Sequence, residues 1–331
     1  MEFDFSINYR TVISFRDDLA DFTDEFGPES CFIVDKALKD LEKRIPRERI
    51  FRLNSEKEKD LSHVENCIEW LISMNAGRNT KLVAVGGGAV TDFGAFTASV
   101  FNRGMQLVLV PTTILAAVDS SIGGKTAVNF VAKNAIGTFY PANEVVVVKE
   151  FFKTLDKNMV ASGKAEIVKI ALIKSGKLFE TVKSAGDLLS EESMKQAIKY
   201  KYDIIRYDLT DTLKKRMVLN WGHTFGHAIE RYYGIPHGLA VASGMVLMQK
   251  YAAWLGLDAY PAGELEELLN MNGINSDVSR FLKEDKWRRF IVMDKKRILE
   301  DISMVYLKKV GSASIIKRNL NDILKDLEEL K

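Results

Sequence analysis

The segment Lys81-Leu-Val-Ala-Val-Gly-Gly-Gly-Ala-Val-Thr-Asp92 changes character at its midpoint. Lys81–Val85 is a short apolar run of the kind that fills a strand buried on both faces. Gly86-Gly87-Gly88 breaks that run, and a helical pattern follows from about Val90 to Phe101. A strand that turns through glycines into a helix is the repeating unit of an α/β chain with a parallel sheet. Working outward, Cys31–Asp35, Gln106–Val110 and Glu144–Val148 read as further strands, the last consisting largely of valine. Leu61, Val64, Ile68 and Leu71 mark a helix over residues 61–74.

Beyond about Phe152 the β-branched runs thin out, and helical patterns cover roughly residues 159–174, 192–207, 221–232 and 239–255. Ile302–Leu307 and Ser312–Ile316 read as a small strand pair. The expected architecture is α/β, with an N-terminal Rossmann-like parallel-sheet domain over residues 1–152 and a mainly α-helical domain over 153–331. With no Gly/Ser linker in the chain, close packing of the two is expected, and a cleft between them is the default place for a ligand.

Charge narrows the class of ligand. Lysine plus arginine (47) nearly balances aspartate plus glutamate (45), so no global field gathers nucleic acid or anionic lipid, and neither is expected as a partner. The longest apolar stretch, Leu107–Val118, is interrupted by Pro111, Thr112 and Thr113 and falls short of the ~20 residues that span a bilayer. Met1-Glu2-Phe3-Asp4 lacks the basic start of an export signal. Cys31 and Cys67 have neither CxxC nor metal-type spacing, which fits a reducing compartment, so the expected location is cytoplasmic.

Several motifs carry chemistry. At Gly86–Gly88, glycines allow close backbone approach and the start of the next helix offers N–H groups to a pyrophosphate, although a tight βα turn alone explains them equally well. Gly124-Lys125-Thr126 resembles the end of a P-loop, but Asp119 stands where that motif needs glycine. Three of the four histidines, His223, His227 and His237, fall within fifteen residues. His223 and His227 share a helix face, and a carboxylate from elsewhere would complete a three-ligand set for a divalent metal. Arg103, Lys125, Lys133, Lys169, Lys201 and Arg216 bring cations to apolar or glycine-rich surroundings, which suits a substrate carrying phosphate, carboxylate or both.

Taken together, Gly86–Asp92, Asn102-Arg-Gly104, Val110-Pro-Thr-Thr113, Val118–Thr126, Lys133-Asn134, Ala165-Glu-Ile-Val-Lys169, Leu219-Asn-Trp-Gly-His-Thr-Phe-Gly-His227 and His237-Gly238 resemble the 3-dehydroquinate synthases in order and spacing. The resemblance implies a carbon–oxygen lyase of the shikimate pathway that uses NAD and zinc or cobalt, and a homodimer. It assigns Glu166, His223 and His237 to the metal. It assigns Glu56, Lys59, Gly87, Gly88, Asp92, Thr112, Thr113, Asp119, Lys125 and Lys133 to NAD. Lys125, Asn134, Lys169, Lys201, Arg216, Asn220 and His227 resemble the substrate contacts, Arg103 an arginine lent by the second subunit, and Lys295 or Lys296 a late substrate lysine. The chain departs from the family at Leu239, where glutamate is common after His-Gly. Another sugar-phosphate cyclase, a metal-dependent alcohol or glycerol dehydrogenase, and a non-catalytic NAD- and metal-binding protein are the competing readings.

Overall fold

The computed structural model describes residues 9–276, 278–294 and 301–330. The chain divides into two compact units, Met1–Leu155 and Asp156–Lys331.

The first unit runs β1 (Val12–Arg16), α1 (Phe22–Phe26), β2 (Cys31–Asp35), β3 (Ile50–Leu53), α2 (Leu61–Ser73), β4 (Lys81–Gly86), α3 (Gly88–Val100), β5 (Gln106–Pro111), β6 (Lys125–Phe130), β7 (Ala132–Phe139) and β8 (Glu144–Val148). Six strands form one parallel sheet in the order β1-β8-β5-β4-β2-β3. The central strands are the apolar runs, buried almost throughout. Alternate residues Val83, Val85, Val108, Val110 and Val146 pack with Phe22, Phe26 and Phe32. Ala84, of opposite parity on its strand, meets α3, where a Cβ on Gly94 would come within 2.5 Å of the Ala84 Cβ. The missing side chain lets the helix lie flat on the sheet.

Residues 125–139, to which the sequence pattern assigns no element, form the antiparallel hairpin of β6 and β7. Its lysines, asparagines and glycine hide the strand pattern. Its ladder and its ties to other segments supply the order that local propensity lacks.

The second unit contains α4 (Lys157–Lys174), α5 (Lys177–Lys183), α6 (Glu191–Ile205), α7 (His223–Tyr233), α8 (His237–Trp254), α9 (Ala262–Met271), α10 (Ser279–Lys283), α11 (Arg289–Asp294), β9 (Ile302–Lys309), β10 (Ser312–Arg318) and α12 (Leu320–Glu329). The strands β9 and β10 pair antiparallel. Helix α8 is apolar on all sides because it packs against α4, α7, α9 and β9.

A glycine seam sets how closely α7 and α8 approach. A Cβ on Gly226 would lie 3.0 Å from the Val241 Cα, and one on Gly244 would lie 2.7 Å from the Gly226 amide nitrogen. Gly222, at φ +82, would bring a Cβ to 2.5 Å from the Met245 Cγ. On the other side Gly238 rests on the Ser162 carbonyl and donates its N–H to the Ser162 Oγ at 2.8 Å. Helix α7 starts at His223, later than its apolar pattern suggests, because Trp221 is extended and Gly222 is left-handed. Among the described residues no helix is long and apolar enough to cross a membrane.

Candidate active site

In the first unit β4 and β5 are paired in register to Gly86 and Pro111, so Gly87-Gly88 and Thr112-Thr113 leave the sheet side by side at its carboxyl edge. A Cβ on Gly87 would sit 3.4 Å from the Thr113 Cγ2, and one on Gly88 would sit 3.3 Å from the Ser120 Oγ. The first turn of α3 has no side-chain cap and no acidic residue. An uncapped, acid-free helix start beside two glycines suits an anion. The following single π turn, Ala116–Ser120, carries Asp119 and Ser120. The buried Ser120 hydroxyl oxygen has no hydrogen-bond partner among the described residues. These features fit the phosphates of a dinucleotide, and the unpartnered Ser120 hydroxyl is a candidate polar group there that the sequence did not single out.

Lys59 is 3% exposed, and its Nζ lies 2.7 Å from both the Asp92 Oδ2 and the Asn134 Oδ1. Burial pushes the Asp92 carboxyl up, and the Lys59 charge opposes that rise. Asn134, left-handed at φ +54, donates its own backbone N–H to the Asn129 Oδ1 at 2.9 Å. Asn129 in turn donates its Nδ2 to the Glu56 Oε1 at 3.0 Å. The structure thus joins four predicted positions, Glu56, Lys59, Asp92 and Asn134, into one polar network. Lys125 and Lys133 lie exposed on the same hairpin. Arg103 is exposed in the turn after α3, left-handed at φ +60.

In the second unit His223, His227 and His237 converge, with one potential ligand nitrogen from each lying within 4.8 Å of the others. The glycine seam between α7 and α8 makes this possible, because it brings the start of α8 onto the His223 and His227 face. His223 donates its Nδ1–H to the Trp221 carbonyl at 3.2 Å, which leaves its Nε2 as the lone-pair nitrogen. Burial, reinforced by Lys169 and the other two imidazoles, holds His223 well below its ordinary pKa, so it is neutral near pH 7. His237 donates its Nδ1–H to the Glu230 Oε2 at 2.7 Å. Burial lowers the His237 pKa, but Glu230 and Glu166 outweigh it and the net shift is upward.

On α4, Glu166 and Lys169 are both 3% exposed or less, and the Glu166 Oε2 is ion-paired with the Lys169 Nζ. The Glu166 Oε1 is buried with no hydrogen-bond partner among the described residues. An orphaned carboxylate oxygen that acts electrostatically on His237 fits a divalent cation held with the imidazoles. The most compact group is nevertheless the three histidines, and Glu166 is not part of it.

Lys201 is buried on α6, and Arg216 is buried with its Nη1 donating to the Leu209 carbonyl at 2.7 Å. Asp208 organises that turn by accepting N–H bonds from Leu213, Lys215 and Arg216. Burial would raise the Asp208 carboxyl, but the three backbone bonds bring it below its usual range. Asn220 is exposed immediately before Trp221. Lys295 and Lys296 lie outside the described residues.

Residues 50–162 match the family model for the 3-dehydroquinate synthase N-terminal domain, and residues 163–297 match its C-terminal domain. The chain belongs to the 3-dehydroquinate synthase family. A 3-dehydroquinate synthase of Pyrococcus furiosus is 38% identical over 286 residues, covering 84% of this chain and 83% of that one. Among solved structures, a 2-deoxy-scyllo-inosose synthase complexed with carbaglucose-6-phosphate, NAD+ and Co2+ superposes with a TM-score of 0.80 at 26% identity, covering 96% of both chains. The 2-epi-5-epi-valiolone synthase ValA of Streptomyces hygroscopicus, with NAD+ and Zn2+ bound, gives 0.82 at 22% identity over 100% of this chain and 98% of that one, a likeness of fold.

Proposed function

We propose that this chain is a carbon–oxygen lyase converting 3-deoxy-D-arabino-heptulosonate 7-phosphate to 3-dehydroquinate and phosphate. The observation that carries the reading is the convergence of His223, His227 and His237 within 4.8 Å, in a chain matched by both 3-dehydroquinate synthase family models. When bound, NAD+ supplies a hydride acceptor that is regenerated each turnover, and zinc or cobalt supplies Lewis acidity at the alcohol oxygen.

The roles of the chain's own residues follow the family resemblance, and their chemistry suits them. Gly87, Gly88 and the start of α3 receive the pyrophosphate, with Thr112, Thr113 and Asp119 along the cofactor. Lys59 holds Asp92 as a hydrogen-bond acceptor for the nucleotide, and Glu56 and Lys133 stand at its flank. Glu166, His223 and His237 hold the ion. His227 faces the substrate and holds or moves a proton there. Lys125, Asn134, Lys169, Lys201, Arg216 and Asn220 fix the phosphate and carboxylate of the substrate, so that the reacting atoms are oriented before chemistry begins. Arg103 contributes from the second subunit of a homodimer, and the enzyme works in the cytoplasm.

The test is release of inorganic phosphate from the heptulosonate substrate with NAD+ and zinc or cobalt, repeated with a chelator and with a hexose 6-phosphate lacking the carboxylate. Chelator-sensitive release from the heptulosonate alone is the expected result. No release from a metal-replete, NAD-binding protein would overturn the proposal, and release from the hexose phosphate would move the substrate to another cyclase class.

A further inference from the structure

Helix α7 presents a third polar side chain beside its two histidines. His223, His227 and Glu230 stand at i, i+4 and i+7, on one helix face. The Glu230 Oε2 accepts the Nδ1–H of His237 at 2.7 Å, and the two side chains are 21% and 27% exposed. His237 is the first residue of α8, where side-chain orientation is least constrained by its own helix. Pro236 before it makes no side-chain cap bond, and the first turn of α8 contains no acidic residue. Leu239 in that turn is apolar. The carboxylate on His237 therefore comes across the helix pair, from α7.

A ring nitrogen donating to a carboxylate fixes the imidazole as the Nδ1–H tautomer and directs the Nε2 lone pair away from that carboxylate. We propose that Glu230 is the positioning residue for His237, aiming its Nε2 toward His223 and His227 before the metal arrives and thereby setting the affinity for a divalent ion. The inference rests on the metal-site reading above. Glu230 touches neither substrate nor ion in this scheme and acts through the ring. Outer carboxylates of this kind change metal affinity by about 10–100-fold when removed.

The experiment compares wild type, Glu230→Ala and Glu230→Gln by chelator competition for zinc, by the visible absorption of the cobalt-loaded protein and by thermal melting of the metal-free protein. The expected result is a zinc Kd weakened about 10–100-fold in Glu230→Ala, an altered cobalt spectrum, and substantial recovery in Glu230→Gln, whose amide oxygen still accepts the proton. A zinc Kd within about twofold of wild type in Glu230→Ala would overturn the inference. So would equal weakening in both variants matched by equal loss of apo-protein melting temperature, the signature of a helix–helix tie. If Glu230→Ala does not fold, Glu230→Leu, which fills the space but accepts no hydrogen bond, decides: a zinc Kd weakened about 10–100-fold with an altered cobalt spectrum supports the role, and a wild-type zinc Kd and spectrum overturn it. A wild-type chain that binds no zinc would overturn the metal-site reading itself, which separates the two failures.

Discussion

The Lys59 ammonium bridges Asp92 and Asn134, lying 2.7 Å from an oxygen of each. Lys59 and the Asp92 side chain are 3% and 20% exposed, so the charge that neutralises Asp92 is itself withdrawn from water. Lys59→Met leaves a mostly buried carboxylate without that charge. We expect a loss of about 2 kcal/mol, below the full cost of breaking a wholly buried pair because Asp92 retains some solvent. The urea midpoint of unfolding measures it. Lys59→Met combined with Asp92→Asn should cost less than the sum of the two single changes.

Metal retention separates the proposed ligand set from the tighter group of three imidazoles. With Glu166, His223 and His237 as ligands, His227→Ala keeps stoichiometric zinc and loses turnover, while Glu166→Ala loses the ion. Metal content after gel filtration, set beside phosphate release, reads both. Loss of zinc from His227→Ala with retention by Glu166→Ala would replace the carboxylate by the third histidine.

The glycine seam predicts a sharp steric response. In Gly226→Ala the new methyl would lie 3.0 Å from the Val241 Cα and 3.1 Å from the Ala240 carbonyl oxygen, so α7 and α8 must part. A destabilisation of about 1–3 kcal/mol is expected, with weaker zinc binding because His223 and His227 move with α7. Gly263→Ala serves as control, since nothing lies within 4 Å of its added Cβ. Thermal melting and zinc competition on the same samples check both effects.

The start of α2 has a defined pH signature. The Asp60 carboxylate accepts from the His63 backbone N–H at 3.0 Å and from the His63 ring at 2.9 Å. Burial alone would raise its pKa, but these bonds and the Ser62 hydroxyl hold it at about 2. A carboxyl depressed on folding stabilises the protein above its unfolded pKa of about 3.9, and that contribution disappears as the pH falls toward 2. Asp60→Ala should cost about 1 kcal/mol near neutral pH, and its difference from wild type should shrink below pH 4. Chemical denaturation at pH 3 and pH 7 measures the change.

The strands β2, β4, β5 and β8 were legible because burial on both faces forces continuous runs such as Glu144-Val-Val-Val-Val148. The edge strands β1 and β3 were not, since Val12–Arg16 and Ile50–Leu53 are short, half-exposed and carry arginine. The histidines could be grouped by spacing along the chain. Glu230 also stood at helical spacing from His223 and His227, but its partner His237 belongs to another helix, so spacing alone gave it no role. Lys59 was expected at the nucleotide, and its two polar partners emerge only when β7 folds beside α3. The β6–β7 hairpin escaped detection for a related reason, because Asn129 and Asn134 gain their bonds from distant residues.

At the tip of that hairpin Val131 is 100% exposed with a left-handed φ of +60, a conformation that a β-branched residue adopts at a cost. Both native cysteines, Cys31 and Cys67, are buried, and burial pushes each thiol up in pKa. Val131→Cys would therefore offer the one readily alkylated thiol, and a fluorophore attached there would ride on the strands carrying Lys125, Lys133 and Asn134. Its anisotropy would report in real time whether cofactor or substrate quiets that tip, without any chemistry having to occur.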